Sequence, residues 1–151
     1  MGGNLRMQMS ILAQALINEG KNTKAKNVLD KCLAVIPEEN VPYDGTIFTI
    51  AAAYYQIGEK QKAGELAQKL FTIYESDLGI YNKQKGNHRI SYQREMEQAK
   101  EIMKRLTGIA QQFKDEKLAK EFMMRLSKIV PPEELMPEEG QQQEPQPIEL
   151  K

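Results

Sequence analysis

The sequence predicts an all-α protein of about three stacked antiparallel helix hairpins, followed by a flexible acidic C-terminal tail. Three observations carry this. The 151 residues are rich in helix formers such as Ala, Leu, Met, Gln, Lys and Glu, with 40 % hydrophobic and 28 % charged residues. Apolar residues recur in steps of three and four, the spacing of one helix face. The chain also repeats itself with a period of 38 residues. Gly20 falls on Gly58, Ala13 on Ala51, Ala25 on Ala63 and Val28 on Leu66, and EGKNTKA at 19–25 returns as IGEKQKA at 57–63.

The first helix is expected over residues 5–18, with an inner stripe of Leu5, Met9, Leu12, Ala13, Leu16 and Ile17. Asn4 is placed to cap it and Gly20 to end it. Asn22 or Thr23 then caps a second helix whose inner face holds Ala25, Val28, Leu29, Cys32, Leu33 and Ile36, and Pro37 stops it. Asp44 is a suitable N-cap for a third helix over about 45–57, which Gly58 terminates. A fourth, about 60–76, turns Ala63, Leu66, Ala67, Leu70, Phe71 and Tyr74 inward. Residues 77–88, with Gly79, Gly86 and two Asn, read as a linker. A longer helix over about 89–112 and a last one over about 115–129 complete the folded region, 4–130, with hairpins at about 5–37, 44–76 and 89–131. Residues 131–151 are rich in Pro, Glu and Gln and bury too little to fold alone.

Net charge is zero, but the tail holds six Glu against one Lys, which leaves the body at +5. Residues 83–128 carry 12 basic and 6 acidic side chains. The basic residues are interleaved with Glu and lack a stacking aromatic pattern, so a solvated face is favoured and no nucleic acid is expected. No apolar run of 18 residues exists, and the start Met1-Gly2-Gly3-Asn4 lacks a basic and apolar signal segment. The single Cys32, on an apolar face, reads as a buried small hydrophobe.

Catalytic chemistry has little to stand on. The one histidine, His88, has no Ser, Cys and carboxylate framing it as a base. One His and one Cys fall short of a structural zinc site. No phosphate-cradling glycine run is present, and the carboxylate pairs Glu38-Glu39 and Glu133-Glu134 lie in loop or tail. No enzyme, cofactor or metal is expected.

Within each repeat the order of residues resembles the tetratricopeptide repeat. Unit one supplies Met9, Leu12, Ala13, Leu16, Ala25, Leu29 and Pro37. Unit two supplies Ile47, Ile50, Ala51, Tyr54, Ala63 and Ala67, with Glu75 where Pro would stand. Unit three supplies Met103, Leu106, Thr107, Ala110, Ala119, Met123 and Pro131, but has Lys114 where the other turns have Gly. The alternative is an irregular helical bundle with a chance repeat. The resemblance implies a non-catalytic module that binds another protein or peptide segment in a concave groove lined by the first helix of each hairpin. Carried over, the groove positions are Met7, Ser10, Gln14, Ile17 and Asn18; Phe48, Ala52, Tyr55 and Gln56; and Lys104, Gly108, Gln111 and Gln112. Met7, Ile17, Phe48 and Tyr55 stand either as exposed contact residues or as core beneath the long third-unit helix. Ser10, Gln14, Phe48 and Ala52 do not match the Lys, Asn and Arg set of family members that grip a C-terminal carboxylate. The acidic tail is a candidate ligand of the groove, in cis or from a neighbour.

Two stretches, 19–44 and 51–81, carry a narrower likeness through LDK…PEENVPYD and the Ala-Tyr-Tyr…Gly-Glu…Lys-Ala pattern. They resemble the C-terminal soluble segment of a bacterial multi-pass membrane protein family whose membrane portion is similar to O-mannosyl-type protein glycosyltransferases. That likeness implies an accessory, periplasmic domain, tied to a membrane only through an upstream portion that would hold any catalysis. Residues alone leave the compartment open.

Overall fold

The computed structural model describes residues 2–40, 43–84, 86 and 90–130. Six α-helices follow one another in these residues: α1 (Gly2–Asn18), α2 (Asn22–Val35), α3 (Gly45–Gln56), α4 (Lys60–Asn82), α5 (Gln93–Gln112) and α6 (Glu116–Ser127). Turns of three residues join α1 to α2, α3 to α4 and α5 to α6, so each pair folds back as a hairpin. The hairpins then stack, α1 against α3 and α4 against α5. The result is an all-α helical repeat, as the periodicity predicts. The tail 131–151 and His88 lie outside the described residues.

The three hairpin turns share one backbone solution. Gly20 and Gly58 take φ of 76° and 85°, the left-handed conformation that glycine reaches at no steric cost. The next amide reaches back over the helix end: Lys21 N–H donates to Leu16 O at 2.8 Å, and Glu59 N–H to Tyr54 O at 2.9 Å. Lys114, which breaks the glycine pattern, nonetheless adopts φ 58°, and Asp115 N–H donates to Ala110 O at 2.9 Å. The third turn thus keeps its geometry, at the cost of a left-handed backbone conformation that L residues other than glycine adopt unfavourably.

Helix starts are less regular than the sequence implies. Asp44 caps α3 as expected, its Oδ1 accepting from Thr46 N–H at 2.9 Å. Asn4 does not cap α1, which already begins at Gly2. Asn22 and Thr23 lie inside α2, whose cap position is Lys21 with no side-chain hydrogen bond. The three-residue turn from α1 puts Lys21, whose side chain has no acceptor, at the cap position and leaves the polar side chains inside the helix.

The first half of the linker expected at 77–88 is helix. α4 runs on through Gly79 to Asn82; residues 90 and 91 are helical, and after a turn at Tyr92 α5 runs from Gln93. Tyr74, Leu78 and Tyr81 sit at i, i+4 and i+7, and Leu78 is fully buried. Burial of that stripe against α5 outweighs the helix-weakening glycine, since one buried Leu contributes about 2 kcal/mol and an interior glycine costs about 1 kcal/mol. The long α4–α5 pair therefore projects beyond the shorter helices around it.

The core is the stripe predicted for units two and three, except that Met123 is 41 % exposed. Ile47, Ile50, Ala51, Tyr54, Ala63, Leu70, Phe71, Met103, Leu106 and Ala110 have no exposed surface. Between hairpins two and three the Phe71 and Phe122 rings stack with centroids 4.2 Å apart. Glu75, which replaces the family's proline, lets α4 continue and accepts two hydrogen bonds from Arg125, Nε and Nη2 each at 3.0 Å. Unit one departs from its predicted inner stripe: Leu5 is 44 % and Leu12 51 % exposed, while Arg6 and Ser10 are buried on the opposite side. Arg6 donates to Ile36 O at 3.1 Å and lies over the Tyr43 ring.

Candidate functional site

The first helices of the three hairpins, α1, α3 and α5, bring part of the carried-over groove set together. Gln14 of α1 donates to Gln56 of α3 at 2.9 Å and to Asn18 at 3.1 Å, so these three side chains form one exposed polar seam between neighbouring hairpins. Met7 is half exposed at the other end of α1. Phe48 and Ala52 are half-buried along α3, and Ile17 is half-buried on α1. Lys104 is half-buried on α5, and Gln111, Gln112 and Gly108 are exposed.

Two positions do not serve as groove wall. Tyr55 is buried, stacked on Phe113 with centroids 5.2 Å apart, and its hydroxyl donates to Asp115 Oδ2 at 2.9 Å. Burial, then the hydrogen bond to Asp115, raises its phenol well above the ordinary value. It is a strut between hairpins two and three. Ser10 is buried as well and bonds back to Met7 O at 2.7 Å.

The structure adds a cleft that the linker reading concealed. Where α4 and α5 project past α3, they enclose about 1020 Å³ beside Gly45 and Ile102. Gly45 and Glu101 hold the same place in their hairpins that Met7 holds in the first, one of the positions that the resemblance assigns to the groove. Tyr74 and Tyr81 line one wall, and Asp77 joins Glu95, Glu97 and Glu101 as its acidic groups against Arg94 and Arg105. Burial pushes the phenols of Tyr74 and Tyr81 up, and the Asp77 charge adds to this. Arg105 is held by Glu101 at 3.2 Å, which leaves the lining acidic on balance. The approach is close at Gly45: a Cβ there would sit 3.2 Å from Ile102 Cδ1. The spacing of Tyr74, Leu78 and Tyr81 was the signal for this wall, masked by Gly79 and the two Asn.

A second polar junction fixes hairpin one to hairpin two. Asp30 Oδ1 accepts from Tyr54 Oη at 2.7 Å and from Lys62 Nζ at 2.8 Å. Burial works to raise the Asp30 carboxyl, but these bonds and the nearby lysine charges outweigh it and hold it below its ordinary value. Cys32 is fully buried, and burial pushes its thiol up, away from the reactive thiolate. Among the described residues no three His, Cys, Asp or Glu side chains cluster as metal ligands, and no helix is long and apolar enough to cross a membrane.

With this geometry in place, comparison with known proteins is informative at one point. Residues 10–39 match the tetratricopeptide repeat family model. The fold is a tetratricopeptide-type helical repeat. The matched stretch runs from the middle of α1 to the loop after α2, and two further helix hairpins follow it. No curated protein and no solved structure matches the chain. The narrower likeness to a glycosyltransferase-like membrane protein family gains no support from these comparisons. Tetratricopeptide repeats mediate protein–protein interaction, and the repeat fold is characteristically non-catalytic.

Proposed function

We propose that this chain is a binding module that takes a polypeptide segment along α1, α3 and α5, with the acidic tyrosine cleft as its main pocket. The cleft is the single observation that carries the reading. It is large, lies at groove positions of hairpins two and three, and combines apolar walls with a carboxylate excess. A segment presenting Lys or Arg beside an apolar or aromatic side chain fits it: the cation meets Asp77, Glu95 and the faces of Tyr74 and Tyr81. Phe48, less than one turn along α3 from Gly45, continues the apolar surface toward the Gln14–Gln56 seam.

The test is selection from a random peptide display library against the folded chain, followed by anisotropy titrations of the selected peptides. Basic-aromatic segments are expected. Tyr81→Ala or Phe48→Ala should weaken them about tenfold or more, as for a central apolar contact, with circular dichroism unchanged. Glu95→Lys should discriminate against basic peptides. No enrichment, or affinities indifferent to all three changes, would remove the groove from the account.

A further inference from the structure

The repeat register exposes an unfinished interface on the outer side of α1. Leu5, Met9, Leu12 and Leu16 stand at i, i+4, i+7 and i+11, a single stripe of one helix. Their equivalents one unit on, with the 38-residue shift, are Tyr43, Ile47, Ile50 and Tyr54. Those in unit three are Ala99, Met103, Leu106 and Ala110. Ile47, Ile50, Tyr54, Met103, Leu106 and Ala110 have no exposed surface; Tyr54 bonds to Asp30 of the preceding hairpin, and α5 packs on α4 of the preceding hairpin. In unit one the same stripe is open, with Leu12 51 % exposed.

The other end of the stack shows the complementary vacancy. Leu29 of α2 and Ala67 of α4 occupy one register position and are both fully buried. The third occupant of that position is Met123 of α6, which is 41 % exposed, with Met124 beside it at 63 %. The charges at this register also repeat. Lys69 meets Glu38 at 3.8 Å and Arg125 meets Glu75 at 3.0 Å, each reaching the hairpin before it. Lys31 stands at the same position of unit one. One pair opposes this fit: Lys120 falls opposite Lys21, where Lys26 meets Glu59 in the first junction.

We infer that the α1 stripe is a docking surface for the α6 end of a second copy of this chain, continuing the hairpin stack from molecule to molecule. The contact has the form of the second internal junction, in which the last helix of one hairpin, α4, packs on the first helix of the next, α5. It is heterologous: one copy offers Leu12 and the other Met123, so it propagates in a line instead of closing as a symmetric pair. Apolar methionines against leucines supply the attraction, and the Lys120–Lys21 repulsion keeps it weak and concentration dependent.

Sedimentation velocity of the full chain tests this. The weight-average sedimentation coefficient should climb continuously over a roughly hundredfold rise in concentration. Leu12→Glu and Met123→Glu each alter an exposed side chain, so both should keep the helical circular dichroism spectrum. Each alone should be monomeric, and an equimolar mixture should form a one-to-one dimer and stop there, because each variant retains the face that the other lacks. A wild-type chain that stays monomeric across the range overturns the inference. So does a dimer that Leu12→Glu abolishes and Met123→Glu spares, since that is symmetric pairing of α1 with α1.

Discussion

Individual side chains decide how tightly the hairpins lock together. Lys114 occupies a left-handed position that its neighbours Gly20 and Gly58 fill without strain. Lys114→Gly should raise stability by about 1 kcal/mol, and Gly58→Ala should lower it by a similar amount; urea denaturation midpoints measure both. Asp30 behaves differently because its contribution depends on charge. Its carboxyl is held below the ordinary value, so the stabilisation is present above the unfolded value of about 4 and is lost as pH falls through the lower folded one. Asp30→Asn should therefore cost about 1 kcal/mol at pH 7, and the gap to the unaltered protein should narrow steadily once the pH is taken below about 4. A gap that persists unchanged in acid would show that the carboxylate charge is not what Tyr54 and Lys62 recognise.

At the scale of the element, α4 is the informative case. Propensity argues for a break near Gly79, and the Asn and Gly content of 77–88 reads as linker. Packing decides otherwise, because Leu78 and the two tyrosines present one face to α5. Gly79 is exposed inside the helix, and a Cβ there would meet nothing within 4 Å. Gly79→Ala should therefore stabilise the projecting α4–α5 pair by about 0.5–1 kcal/mol, seen as a rise of about 2–4 °C in Tm. A fall in Tm would mean that the helix bends there for a reason other than sequence. α3 shows the opposite relation: Asp44 was legible as a cap because its side chain has a local task, and it performs it.

For the whole molecule, stacking order is the organising fact. α1 packs on α3 and α4 on α5, so each hairpin finishes the apolar face of its neighbour. A stack of this kind has two ends, and its ends are where apolar surface remains. The same logic places the candidate site. The projecting α4–α5 pair makes the cleft, and the cleft lies beside α3 because the hairpins stack in register. Of the carried-over groove set, Gln14, Asn18 and Gln56 do meet, while Tyr55 is diverted into the core by Phe113 and Asp115. No reading of one hairpin could reveal that diversion, since both partners of Tyr55 come from the turn of the next.

Local information in the chain determined the helical class, the repeat, the turn glycines and most of the core stripe of units two and three. These follow from periodicity and from backbone conformations that only certain residues reach cheaply. Tertiary structure alone decided where α4 ends, which faces of α1 remain open, and which tyrosines line a cleft and which brace the stack. Those outcomes depend on what a neighbouring hairpin covers, and the burial of a side chain is a property of the pair of surfaces, not of the residue that carries it.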